Sequence, residues 1–112
     1  MASSYKTLGQ LDITSSTLTD LYTCPSATET VVSTIVIANR ASTSDTFKIA
    51  LRTDGDAISD KHYLAFSVPV AANDSTTITL GLTMEATDVL TVAGGGTASE
   101  LSFNAFGAEV TV

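Results

Sequence analysis

The chain has 112 residues and a mass of 11.5 kDa, which fits one ordinary domain. Charged residues make up 15%, against about 25% in a typical soluble domain, while Thr numbers 19 and Ser 13, so the polar surface is built from hydroxyls. The net charge of -7 argues against a nucleic-acid partner and against an anionic membrane surface, both of which call for clustered Lys and Arg.

In chain order, residues 1–17 are polar, with isolated Leu8, Leu11 and Ile13, and are expected to form an extended N-terminal arm. Met1 to Lys6 has no apolar core, so no secretory signal is expected. Leu18 to Thr23 is a short strand candidate stopped by Pro25. Val31 to Ala38 (VVSTIVIA) is nearly all apolar and rich in β-branched residues, the pattern of a central strand. Thr46 to Thr53 alternates, with Phe47, Ile49 and Leu51 on one face. His62 to Val70 is a further strand, expected to carry His62, Leu64, Phe66 and Val68 on one face. Pro69 confines that strand's end to a sheet edge or a break. Ser75 to Leu82 alternates through Ile78, Leu80 and Leu82, and Asp88 to Ala93 is another strand. Leu101 to Phe106 and Ala108 to Val112 read as two strands hinged at Gly107. In the first of these, Phe103 belongs with Leu101 and Ala105 in the core, and Phe106, three positions on, faces the other way.

Seven to nine short strands without a helical window predict an all-β fold: a single antiparallel β-sandwich, jelly-roll or Greek-key in connection, over residues 18–112.

The residues that carry chemistry are sparse. The single histidine, His62, has no Gly-x-Ser-x-Gly elbow to serve. The run from Asp54 to Asp60 opens like a calcium loop, but its sixth and twelfth positions hold Ser59 and Ala65 where Gly and Glu are needed. Gly94-Gly95-Gly96 is followed by no Lys and no helix, unlike a phosphate loop. Cys24 stands alone, which excludes an intrachain disulfide and a multi-cysteine zinc site, and reads as a small buried hydrophobe. Without Trp, a sugar-stacking platform would rest on Tyr5, Tyr22 or Tyr63. No catalytic residue, metal or cofactor is expected, and the chain reads as an interaction protein.

Several segments in order carry a resemblance. Leu21-Tyr22-Thr23-Cys24-Pro25 precedes a β-branched strand ending in Asn39-Arg40. Then come Lys61-His62-Tyr63, Ala72-Asn73-Asp74 and a close on Phe103-Asn104-Ala105-Phe106-Gly107-Ala108-Glu109. This set resembles the small β-sandwich structural proteins of tailed bacteriophages, especially those of cyanobacterial phages. The resemblance implies a virion protein made in the host cytoplasm: a capsid cement or head-decoration protein. Such proteins sit on the outer capsid surface as a homo-oligomer, most commonly a homotrimer, with the major capsid protein as partner. A neck or tail-fibre/receptor-binding β-sandwich module is the alternative, and a carbohydrate- or calcium-binding sandwich the second alternative. Candidate subunit or capsid contacts are Leu8, Leu11, Ile13 and Phe106, the first three because an arm with sparse apolar residues suits a crossing to a neighbour.

The broken loop after Asp54 makes a specific expectation. EDTA should move the melting temperature by no more than about one or two degrees, whereas a large drop restored by calcium would reveal a native-state metal site.

Overall fold

A computed structural model describes residues 2–96 and 98–112. Met1, the first residue of the expected arm, and Thr97 lie outside the described residues. Eight strands run in the order β1 (Ala2–Ile13), β2 (Thr19–Thr23), β3 (Thr28–Asn39), β4 (Asp45–Arg52), β5 (Tyr63–Val70), β6 (Ser75–Met84), β7 (Val89–Gly94) and β8 (Leu101–Thr111). Single 3-10 turns cover Thr53–Gly55 and Asp60–His62. Two antiparallel four-stranded sheets, β1-β8-β3-β6 and β2-β7-β4-β5, face each other as a sandwich. Only β4 and β5 are consecutive neighbours within a sheet, and this is the strand order of a jelly roll.

The core follows from β alternation. β3 contributes Val32, Ile35 and Ile37, β4 contributes Phe47 and Ile49, β7 contributes Leu90 and Val92, and β8 contributes Leu101, Phe103 and Ala105. Phe47 and Phe103 meet edge to face across the sandwich, their centroids 6.3 Å apart. Phe103 is therefore in the core with Leu101 and Ala105, and Phe106 is exposed, as the period of two predicts. Pro69 lies in β5, an edge strand, where no ladder partner is lost on the open side.

Three expectations are corrected. The segment read as an arm forms β1, paired with β8 from Ala2↔Thr111 to Ile13↔Leu101. Ile13 is 3% exposed and belongs to the core, and Leu8 and Leu11 pack against that core half-buried. These three residues are thus consumed inside the chain. The second correction concerns Gly107, which lies within a continuous β8. Its role is close approach: a Cβ there would overlap the Val31 carbonyl oxygen of β3.

The third correction concerns His62, Leu64, Phe66 and Val68, which do not share a face. β5 pairs with β4 at Phe47↔Val68, Ile49↔Ala65 and Ala50↔Tyr63, with a register shift on each side of Ile49. Ser67 adopts a left-handed φ of 54° at the first of these irregularities. The extra residue at Ser67 resets the alternation, so Val68 and Ala65 both pack on the core while Leu64 and Phe66 are exposed.

The β3 terminus shows why Asn39-Arg40 stands where it does. The Asn39 amide nitrogen donates to the carbonyl oxygens of Thr43 (2.9 Å), Val70 and Ala71 (both 3.3 Å), and its Oδ1 accepts from the Ala41 N–H (3.0 Å). One buried side chain thereby fixes both the β3–β4 loop and the exit of β5. Arg40 pairs with Asp12 of β1.

Truncating Phe103 to Ala should cost about 3–5 kcal/mol, because the residue is fully buried against Phe47. Urea melts of the variant measure it. A near-neutral result would place Phe103 outside the core.

Candidate interaction surfaces

Over the half of β1, β8 and β3 that lies on the Gly107 side of the bulge, the outer face is built by three cross-strand rows. Ser3, Val110 and Glu29 form one, Tyr5, Ala108 and Val31 the next, and Thr7, Phe106 and Thr34 the third. Alternation assigns these residues outward because their neighbours Val32, Phe103 and Ala105 are buried. Tyr5 is 89% exposed, and Val31 and Phe106 are also exposed. Among the described residues of these rows, Glu29 is the only charged side chain.

A bulge organises this face. Ser33 has no partner in β8, since Val32 pairs with Gly107 and Thr34 with Phe106. The Ser33 hydroxyl donates to the Phe106 carbonyl oxygen at 3.1 Å. Beside the exposed ring of Tyr5 lies a shallow hollow of about 320 Å³, lined by Ser3, Tyr5, Val31, Ser33, Ala108 and Val110. An apolar floor with hydroxyls at the rim suits a protein partner: the floor gains by leaving water and the rim keeps its hydrogen bonds.

Of the four candidate contact residues, Phe106 stands on this face. Leu8, Leu11 and Ile13 do not, for the reason given above. Sequence reading missed Tyr5, Val31, Ala108 and Val110. Val31 hides in a continuous apolar run, and only the Ser33 bulge decides which of its neighbours face outward. A usable signal was present at the other end: Gly107 between the outward Phe106 and Ala108 marks a close backbone approach to β3.

One end of the sandwich is held by a polar cluster. Tyr22 of β2 reaches across to the other sheet, where its hydroxyl meets Glu109 at 2.5 Å and Thr30 at 2.7 Å. Lys6 of β1 donates to the Glu109 carboxylate at 2.8 Å, and Cys24 Sγ lies 3.2 Å from the Thr30 hydroxyl. The Lys6 bond, then the Tyr22 bond, hold the Glu109 carboxyl below its ordinary value of 4.5. Burial, reinforced by the bond to Glu109, pushes the Tyr22 phenol well above its ordinary 10.0. At neutral pH the phenol is therefore the proton donor and the carboxylate the acceptor. Cys24 is buried against this cluster.

The remaining candidates for chemistry stay apart. His62 is buried, and its Nδ1 accepts the Ser59 N–H at 3.0 Å, which closes the Asp60–His62 turn. The Asp88 carboxylate accepts the N–H groups of Asp54 (2.8 Å) and Glu85 (3.0 Å) and so ties two loops together. Among the described residues no group of three His, Cys, Asp or Glu is placed to hold a metal ion.

No protein-family model and no curated protein matches the chain. Solved structures do. The fold is similar to that of a subunit of Bacillus endospore appendages, described as disulfide-linked pili. The TM-score is 0.60 at 14% identity, over 99% of this chain and 88% of that one. Structures of the Gt and Gx strains of infectious bursal disease virus give TM-scores of 0.49 at 12% and 13% identity. They cover 96% and 97% of this chain but only 31% and 32% of theirs. At 14% identity the likeness to the pilus subunit is one of fold.

The cluster around Glu109 sets an acid dependence. A carboxyl held below its unfolded value adds stability that is fully present above that value and is lost as pH falls through the folded one. Stability should therefore drop below about pH 4.5. Thermal melts at pH 6 and pH 3 should show a smaller difference for Glu109→Gln than for the parent chain. Tyr22→Phe should cost about 1–2 kcal/mol at neutral pH, because it leaves Thr30 and Glu109 short of a partner. Equal acid sensitivity in Glu109→Gln would remove this carboxyl from the account.

Proposed function

We propose that this chain is a virion structural protein that decorates and cements a bacteriophage capsid, binding the outer surface of the shell as a homo-oligomer. The observation that carries the reading is the outward patch of β1, β8 and β3 around Tyr5, Val31 and Phe106, where large apolar side chains are exposed and Glu29 is the one charged side chain of the described rows. The ordered segments from Leu21-Tyr22 to Gly107-Ala108-Glu109 support it through their resemblance to phage virion proteins. The net charge of -7 favours the outside of the shell, since packaged DNA repels an acidic protein. The partner is the major capsid protein, and the resemblance implies three copies per oligomer.

The mechanism is mass action. A ligand that binds only the intact shell stabilises it by about 2.7 kcal/mol per site at a hundredfold excess over Kd, repeated at every site. The stabilisation acts against the outward pressure of packed DNA.

A second reading is a fibre or neck module, in which copies of the chain associate with one another along an axis. The likeness of fold to a pilus subunit over 99% of the chain favours it.

Add-back separates the two. Purified protein is mixed with expanded capsids that lack it, and the particles are heated. On the cement reading the protein binds and raises the rupture temperature, and Phe106→Lys, which puts a charge on the exposed apolar face, abolishes both effects without lowering its own melting temperature. Failure of the parent chain to bind these shells would move the fibre reading to first place.

A further inference from the structure

The outer face of the opposite sheet has a different chemistry. Strand alternation running back from the buried Val70 through Val68 would carry Phe66 and Leu64 into the core. The irregularity at Ser67 prevents this. Ser67 takes a left-handed φ, a conformation that residues other than glycine adopt at a cost. The result is a phenylalanine turned outward and left 61% exposed. Bulges in edge strands commonly re-aim a side chain in this way, and a strained residue held in place is a pointer to function.

Three groups gather around that ring. Tyr63 meets Phe66 edge to face, with centroids 4.9 Å apart and planes at 88°. Lys48 of β4 places its Nζ over the Phe66 ring, 5.0 Å from the centroid. Asp60 joins Tyr63 and Phe66 in lining a shallow hollow of about 330 Å³. The buried His62 fixes the turn that presents Asp60 and Tyr63, through the bond from the Ser59 N–H. The hollow thus combines two aromatic rings and a carboxylate acceptor, with the Lys48 ammonium beside it over the Phe66 ring.

We infer that this hollow binds a neutral hexopyranose residue of a glycan. One side of a pyranose carries C–H groups and can lie on an aromatic ring, while its hydroxyls need both acceptors and donors around the rim. Asp60 supplies the first and Lys48 the second. The volume suits a ligand of about one or two sugar rings, at the small end of binding pockets. The chain's net charge of -7 selects a neutral sugar over an acidic one. A protein partner is better served by the flat, almost uncharged face of the other sheet. The inference is independent of the capsid reading, since it uses a different surface.

Saturation-transfer NMR on the purified full chain, with maltohexaose, cellohexaose, galactobiose and chitotriose as probes, tests it. At least one saccharide should show transfer concentrated on the C–H protons of a single ring. Phe66→Ala and Tyr63→Ala should each lower the affinity by about tenfold, the size of one lost aromatic contact, with the melting temperature of Phe66→Ala unchanged. No transfer from any probe overturns the inference, and so does transfer that persists undiminished in Phe66→Ala. If Phe66→Ala instead loses binding to capsids while no saccharide binds, this face is a protein contact: the glycan inference falls and the capsid reading stands.

Discussion

The hydrogen bond between the Tyr22 hydroxyl and the Glu109 carboxylate ties the two sheets together where the apolar core runs out. Phe103 and Phe47 hold the middle of the sandwich by burial, which is strong but non-directional. At the end near Glu109 the sheets are joined instead through Tyr22, Thr30, Lys6 and Glu109, contributed by β2, β3, β1 and β8. A directional bond of this kind sets how the sheets sit on each other, and so sets the level at which the rows carrying Tyr5, Ala108 and Val31 end. The residues of the Leu-Tyr-Thr segment and of the terminal Gly-x-Glu segment are thus two halves of one contact. Their presence together in this chain is explained by packing.

The surfaces depend on irregularities in otherwise regular strands. Ser33 in β3, the Leu64 and Ser67 positions in β5, and Gly81 with its φ of 61° in β6 each interrupt a ladder. A sheet without them would bury every second residue and present an even, hydroxyl-rich exterior. With them, Phe66 faces outward on one sheet, and Val31 and Phe106 share a face on the other. The interaction chemistry of this chain is therefore written in departures from the period of two more than in the strands themselves.

That explains what could and could not be read from the residues. The β-branched, hydroxyl-rich composition and the regular turn spacing disclose the sandwich, and Phe47, Ile49, Phe103 and Phe106 take the faces that their alternation predicts. Pro69 marks an edge strand for a local reason. Other features turn on contacts far away in the chain. Leu11 and Ile13 alternate as a strand should, yet their partners lie at Phe103 and Leu101, so nothing local distinguishes β1 from a polar arm. No glycine announces the Ser67 bulge, and that single inserted residue inverts the face of Phe66. The close packing at Gly107 looks, in one dimension, the same as a flexible hinge.

The pairing of β1 with β8 also bears on how the chain is made. β8 lies between β1 and β3, so the β1-β8-β3-β6 sheet remains two separate pieces until Leu101–Thr111 has been synthesised. During that interval β1 has no ladder partner, and β3 offers Val32, Ile35 and Ile37 with one flank unpaired. Such long-range pairing folds slowly, and open strand edges beside apolar rows invite association with the wrong neighbour. A copy stalled on the ribosome short of β8 is consequently a sticky half-sheet, and β8 is the strand that converts it from hazard to protein.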